Sequence, residues 1–264
     1  MRRSIVVLGA LTLAGAGLAA PSASAEEKGT AWVYPGGDYV YYYANDGEAN
    51  DVVVLQGPNG PTEFIIDDIV PIVAGNGCVH PDAADPTYVV CTITTPEEDL
   101  YTYVYVELWD LDDELVLRAG DESYSGGGDG NDVIDGGDGE HFLSGGSGDD
   151  VIRDATVAYG GPGDDIITSD SAAQGGDGND TIHARLGSAE GGAGDDLLLG
   201  GDGANHLFGE AGADEIRGGR GNDELNGGED DDTVYGNSGD DILYGGPGDD
   251  LLSGGPGADE VHQD

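Results

Sequence analysis

The sequence predicts an all-β fold: a parallel β-solenoid, in which the chain coils into a stack of short strands, behind a small N-terminal β-rich cap. Three observations carry this. Fifty of the 264 residues are glycine, far above a usual share of ~7 %. From residue 127 the glycines recur every nine residues, and each period keeps one aliphatic position. Upstream of residue 108 that period is missing, and β-branched or aromatic runs alternate with turn clusters instead.

The chain opens with the basic start Met1-Arg2-Arg3-Ser4, an apolar run from Ile5 to Ala20, and the small-x-small site Ala23-Ser24-Ala25. That pattern reads as a secretory signal peptide over residues 1–25, so an extracellular protein is expected. The paired arginines leave a twin-arginine export route open beside the general one. The apolar run is short and glycine-containing for a membrane anchor, and no membrane insertion is expected.

Residues 26–107 read as the cap. Tyr39 to Tyr43, Asp51 to Leu55, Glu63 to Ile66, Tyr88 to Thr92 and Tyr101 to Glu107 have strand character. Asn45-Asp46-Gly47, Gly57-Pro58-Asn59-Gly60 and Gly75-Asn76-Gly77 separate them as turns. Tyr101, Tyr103 and Tyr105 alternate with Thr102, Val104 and Val106, which puts a tyrosine stripe on one sheet face. The stripe fits a half-buried packing face or a glycan-stacking surface. Cys78 and Cys91 are the only cysteines. In an oxidising compartment an even pair is expected to form a disulfide, worth at most ~3 kcal/mol for so short a loop.

Charge narrows the function. The 54 acidic residues against 8 lysines and arginines give a formal net charge of −46. No basic face is available to replace the counterions of a nucleic acid, so no nucleic-acid partner is expected. Collagen is excluded because the glycines do not fall at every third position. Acidic disorder is excluded by the periodicity itself.

The first nine-residue unit is Gly127-Gly128-Asp129-Gly130-Asn131-Asp132-Val133-Ile134-Asp135. Units of this form start at Gly136, Gly145, Gly160, Gly175 and Gly191, then without a break from Gly200 to Gly254, closing at His262. In these thirteen units position 1 is always Gly and position 8 always Ile, Leu or Val. Position 6 is Asp in all but two, His141 and Asn205. Glycine at positions 1, 2 and 4 permits the positive φ of a tight turn and brings carbonyls close together. Asp at 6 aims a carboxylate into that turn. The aliphatic residue at 8, between variable neighbours, makes a three-residue strand with one inward side chain. Two such units form a coil of eighteen residues.

The pattern GGxGxDxUx over residues 127–262 resembles the RTX, or haemolysin-type, calcium-binding nonapeptide of secreted, actinobacterial-like proteins. The resemblance implies a right-handed parallel β-roll holding Ca²⁺ between turns of successive coils, by position-6 carboxylates and turn carbonyls. Ca²⁺ is a hard ion that takes six to eight oxygens. Three interruptions, at 154–159, 169–174 and 184–190, read as half-coils whose turn has been trimmed, each with an inward alanine: Ala158, Ala173 and Ala189. Alternating half-coils then divide the ligands between two sides. One side carries Asp132, Asp150, Asp165, Asp180, Asp196, Asp214, Asp232 and Asp250. The other carries His141, the three trimmed turns, Asn205, and then Asp223, Asp241 and Asp259. About ten ions are expected in all. Extending the register upstream starts the roll at residue 108, so that 108–264 forms one region. Asp113 and Leu115 then take positions 6 and 8, and Glu122 and Tyr124 the same positions in the next half-coil. Leu111 stands at a turn-glycine position, which makes Asp113 a weaker ligand candidate than the rest.

One aliphatic per nine residues is a thin core, so metal is expected to be part of folding. The leading functional expectation is a secreted calcium-binding scaffold or adhesive, monomeric, with an unidentified cell-surface or glycan partner. One alternative is the accessory or remnant of a secreted RTX enzyme. The sequence has neither HExxH nor GxSxG, and its five histidines lack metal-ligand spacing, so no enzyme is expected. The other alternative, an ice-binding solenoid, lacks the threonine ladder it would need. The last coil, residues 245–264, is expected to fray, because nothing polar covers it after His262.

Overall fold

The computed structural model describes residues 29–34, 39–59, 62–93, 103–118 and 122–263. The expected signal peptide and Tyr101 lie outside them. Every regular element among the described residues is a strand, and no helix there is long and apolar enough to cross a membrane.

The repeats fold as their period dictates. Each X-aliphatic-X triplet is a short strand, and each glycine-rich stretch turns the chain through to the opposite sheet. Strands two half-coils apart pair in parallel and in register. Val133, Val151, Ile166, Thr181, Leu197, Glu215, Thr233 and Leu251 form one such column. Behind it, Ile134, Ile152, Ile167, Ile182, Leu198, Ile216 and Val234 point inward and are buried. The opposite sheet supplies Leu143, Ala158, Ala173, Ala189, Leu207, Leu225 and Leu243. Three consecutive alanines thus stand where the shortened half-coils draw the two sheets together. The result is a two-faced solenoid of parallel strands, about nine turns deep.

The stack also reaches further upstream than residue 108. Strands β1 (Gly29–Val33), β2 (Tyr39–Tyr43) and β3 (Asp51–Gln56) open the fold, followed by β4 (Glu63–Asp67), β5 (Ile72–Ala74), β6 (Cys78–Val79) and β7 (Tyr88–Thr92). Next come β8 (Tyr103–Asp110), β9 (Glu114–Arg118), β10 (Glu122–Asp129) and β11 (Val133–Asp135). Strand β2 pairs in parallel with β8, and β8 with β10. Likewise β3 pairs in parallel with β9, and β9 with β11. The strands within residues 39–56 are therefore a coil of the stack without the repeat, and β4 to β7 are an excursion from it.

The cap reverses strand direction. Strand β1 lies antiparallel on β2, and β4 antiparallel on β3. Strand β7 then pairs antiparallel with β4 and β6. The edges of β2 and β3 are thus covered by antiparallel strands, and β1 in turn pairs in parallel with the short β5; covering a sheet edge with further chain is one way it is blunted. Cys78 and Cys91 face each other across β6 and β7 and are joined by a disulfide.

One upstream residue pair departs from the expected register. Ser123 and Ser125, not Glu122 and Tyr124, align with His141 and Leu143 and point inward. The residue added between Arg118 and Glu122 moves the strand by one, and a one-residue slip exchanges its faces. Tyr124 consequently faces outward and stacks on Phe142 at 4.8 Å between ring centroids.

Core width yields a prediction. Leu225→Ala in a full-width coil should cost about 2–5 kcal/mol by leaving a cavity. Ala173→Leu in the narrow segment should cost about 1–3 kcal/mol by overpacking. Thermal unfolding of the calcium-loaded protein should register both losses; an unchanged midpoint for Ala173→Leu would mean that the narrow segment has room to spare.

Candidate metal centre

The position-6 aspartates stand in two columns, one on each rim of the solenoid. On the regular rim, the backbone N–H of each residue donates to Oδ1 of its counterpart one coil further on. The series runs unbroken from Asp113 through Asp132, Asp150, Asp165, Asp180, Asp196, Asp214 and Asp232 to Asp250, at 2.7–3.0 Å. Asn50 extends it into the first coil by donating its N–H to Asp113 Oδ1. On the other rim the same ladder exists only from Asn205 through Asp223 and Asp241 to Asp259, at 2.9–3.1 Å.

Using one carboxylate oxygen in the ladder fixes the other inside the turn. Oδ2 of Asp113, Asp132, Asp150, Asp165, Asp180, Asp196, Asp214, Asp223, Asp232, Asp241 and Asp250 is buried and has no hydrogen-bond partner. Each aspartate faces position 1 of its own turn. A Cβ on Gly127 would strike Asp132 Oδ2 and lie 2.7 Å from the carbonyl oxygen of Gly145 in the next coil. Gly175 has the same two kinds of neighbour, Asp180 Oδ2 and the Gly191 carbonyl at 2.6 Å. Glycine is required there because carboxylate and carbonyl oxygens converge on the space that a side chain would fill.

The donors are all oxygen, and they are arrayed along the stack. No three His, Cys, Asp or Glu side chains gather at one point among the described residues. A cation would be held by carboxylates of neighbouring coils together with backbone carbonyls. This suits a hard ion such as Ca²⁺ and disfavours metals that prefer imidazole or thiolate. A buried carboxylate oxygen without a donor is costly, and a divalent ion is the simplest group to satisfy a column of them. The residues present therefore fit calcium.

Burial raises the carboxyls of this column well above the usual aspartate range. Asp113, Asp165 and Asp214 are pushed up to about 7. Asp150, Asp196, Asp223 and Asp232 reach about 6. Desolvation is the main cause in each case, opposed by the N–H bond to Oδ1 and reinforced for most by neighbouring aspartates.

The second rim is different chemistry. His141 replaces the first aspartate, and burial lowers its pKa, so the ring is neutral. Its Nδ1 lies 2.7 Å from Ser123 Oγ. Asn205 accepts the N–H of Gly201 and donates Nδ2 to the carbonyls of Ala184 and Gly187. The amide of Asn205 is satisfied within its turn, whereas His141 Nε2 is buried without a hydrogen-bond partner. Between them, the trimmed half-coils leave a notch of about 450 Å³ lined by Arg118, Asp135, Asp138, Asp154, Asp170 and Arg185. Arg118 bonds Asp135, and Arg185 bonds both Asp154 and Asp170. Guanidinium groups link successive coils here, on the rim where the aspartate ladder is interrupted.

A second ladder was not anticipated from the sequence. On the regular rim, Oδ1 at position 5 accepts the N–H of position 5 in the following coil. It runs from Asp112 through Asn131, Asp149, Asp164, Asn179 and Asp195 to Ala213, at 2.7–2.9 Å. Its bonds point opposite to those of the position-6 ladder. The signal was present: position 5 is Asn or Asp in nine of the thirteen units, and it is Glu140 or Ala204 in the two units that lack Asp at 6.

The tyrosine stripe belongs to a larger aromatic ladder. Trp32, Tyr41, Tyr105, Tyr124 and Phe142 stack in succession at 4.8–5.5 Å, with interplanar angles of 8–14°. Each inner ring is covered by a ring on both faces, so within this series only the end rings, Trp32 and Phe142, keep a face that no ring of the series covers.

The carboxyl shifts make calcium binding pH-dependent. In the metal-free fold the ladder carboxyls titrate above their unfolded value. Their contribution to that fold is present below about pH 4 and disappears as pH rises through about 6–7. At neutral pH the ionised ladder thus works against the metal-free fold, and calcium binding must displace protons below pH 7. The apparent calcium midpoint should rise as pH is lowered from 7.5 to 5.5. Titrations in buffers of different ionisation enthalpy should show proton release at pH 6; a pH-independent midpoint would contradict the burial of these carboxylates.

A family model described as the RTX calcium-binding nonapeptide repeat matches the chain in four copies, at residues 126–153, 157–173, 190–225 and 226–261. None of the curated proteins compared matches the chain. Together with the glycine-bounded turns and their aspartate columns, these matches identify the four matched segments as RTX calcium-binding repeats, wound into a β-roll.

Proposed function

We propose that this is a secreted protein whose roll folds when Ca²⁺ enters its turns, and that it serves outside the cell as a scaffold or adhesive. The observation that carries the calcium reading is the column of buried, partnerless Oδ2 atoms. Asp132, Asp150, Asp165, Asp180, Asp196, Asp214, Asp232 and Asp250 would share about seven ions between eight turns, and Asp223, Asp241 and Asp259 two more. Asp113, with the same orphaned oxygen, would extend the regular rim by one. Each ion would join two coils and cancel part of the repulsion in a chain of formal charge −46.

The secreted reading rests on the N-terminal pattern of residues 1–25 and on the disulfide, which suits an oxidising compartment. Export unfolded from a low-calcium interior, followed by folding outside, accounts for both. The scaffold reading, rather than an enzyme, rests on how the position-6 carboxylates are used: they are buried in a structural ladder along the stack.

Calcium should produce β-structure cooperatively at roughly 0.1–1 mM, the range of weak extracellular sites. Magnesium should not replace it, because it demands short, near-octahedral bonds. Isothermal titration followed by circular dichroism checks both. In the same titration Asp180→Ala should lower the stoichiometry and split the transition, whereas His141→Ala should leave the stoichiometry unchanged. Equal ion occupancy on both rims of a calcium-bound crystal would overturn the lopsided assignment. A pull-down against cell-wall glycans tests the adhesive role.

A further inference from the structure

The described residues hold together by two different chemistries. Gly29 to Arg118 contains nineteen buried apolar residues, including Tyr42, Phe64, Ile66, Leu108, Leu115 and Leu117. It also contains the disulfide, the antiparallel cap pairings and most of the aromatic ladder. Only one carboxylate in it, that of Asp113, has an oxygen that is buried and unpartnered. Glu122 to His262 is longer yet buries seventeen apolar residues, five of them alanine, and leaves ten aspartates with an orphaned oxygen. The need for metal is concentrated in the second part.

The edge between them is already shaped for the first calcium coil. Asp113 N–H points at Asp132 Oδ1 at 2.8 Å, and its carbonyl accepts Val133 N–H at 2.9 Å. Asp112 Oδ1 accepts Asn131 N–H at 2.9 Å, which starts the position-5 ladder. Strands β8 and β9 offer parallel edges to β10 and β11. Trp109 and Leu111 hold φ of 81° and 72° at turn positions where the repeats use glycine. The first coil thus already holds the turn geometry of the repeats without glycine, as Glu210, Asp230 and Asn237 do further along the stack.

We infer that strands β1 to β9 form a metal-independent folded unit, and that its β8–β9 edge is the template on which the calcium-dependent coils assemble in order, from residue 122 toward the C-terminus. In a solenoid each coil contacts only its neighbours, so the first coil without a neighbour is the hardest to form. A preformed edge removes that step and also sets the register, which the near-identical repeats cannot set for themselves. The inference rests on the calcium-dependent folding proposed above.

The full chain carries its own reporter, since both tryptophans, Trp32 and Trp109, lie in the template unit. In excess chelator, tryptophan emission should keep a cooperative urea transition while most far-ultraviolet β signal is lost and then restored by calcium. Loss of the emission transition together with the β signal would overturn the template while leaving calcium-driven folding intact. No change in either signal on chelation would overturn calcium-driven folding, and the inference with it. Pulsed hydrogen exchange after mixing with calcium should protect residues 127–153 before 245–262; simultaneous or reversed protection refutes the order of assembly. Leu115→Ala should slow roll formation at least tenfold while Leu225→Ala changes it less than twofold, and equal slowing counts against a template.

Discussion

A carboxylate has two oxygens, and in this fold they are given incompatible surroundings. Oδ1 of each regular-rim aspartate from Asp132 to Asp250 takes a backbone N–H from the preceding coil, while Oδ2 is turned into a dry, glycine-lined turn with nothing to donate to it. The first contact sets the spacing and register of the coils. The second makes that arrangement unfavourable unless a cation or a proton is present. Glycine at position 1, the absence of lysine from the turns and the accumulation of acid in the chain all follow from keeping that space open for a divalent ion.

Much of this was legible in the sequence because a solenoid is nearly one-dimensional. A residue's neighbours are its counterparts one coil away, so the period alone places Ile134 beneath Ile152 and Asp132 beside Asp150. The interruptions were equally readable: fifteen residues separate Asp150 from Asp165 where eighteen are usual, and the alanines mark where the coil narrows. The reading failed where the period ends. Nothing periodic relates Tyr42 to Val106, yet the two strands are paired, because that contact is fixed by apolar packing over some sixty residues of intervening chain. The slip at Ser123 and Ser125 also lies where the period ends, since one added residue cannot be placed when the segment before it does not keep the repeat. The position-5 ladder was missed for another reason. Position 5 is an unassigned x in GGxGxDxUx, and Asn and Asp, which differ in charge, are equivalent for this hydrogen bond.

The two parts of the chain also illustrate how a stack can be terminated and extended by different means. At the N-terminal end, antiparallel strands, a disulfide and a bulky core close the sheet edge. Further along, each coil contributes one aliphatic side chain per sheet and leaves cohesion to electrostatics. Stacked aromatic rings from Trp32 to Phe142 span the boundary, so the outer face of the early calcium coils inherits packing from the cap. Where the aspartate ladder of the second rim is interrupted, the arginines Arg118 and Arg185 and the amide of Asn205 supply links between coils.

The shortened half-coils have an evolutionary consequence. Three turns have been cut from one rim, yet Val151, Ile166, Thr181 and Leu197 on the opposite sheet remain in register. Length changes on the arginine-bearing rim are therefore decoupled from the aspartate column across the coil. Deletions, and by the same logic insertions, can accumulate on one edge of the solenoid without disturbing the other. That edge is where a loop can vary or be added, while the regular rim keeps a single uninterrupted column.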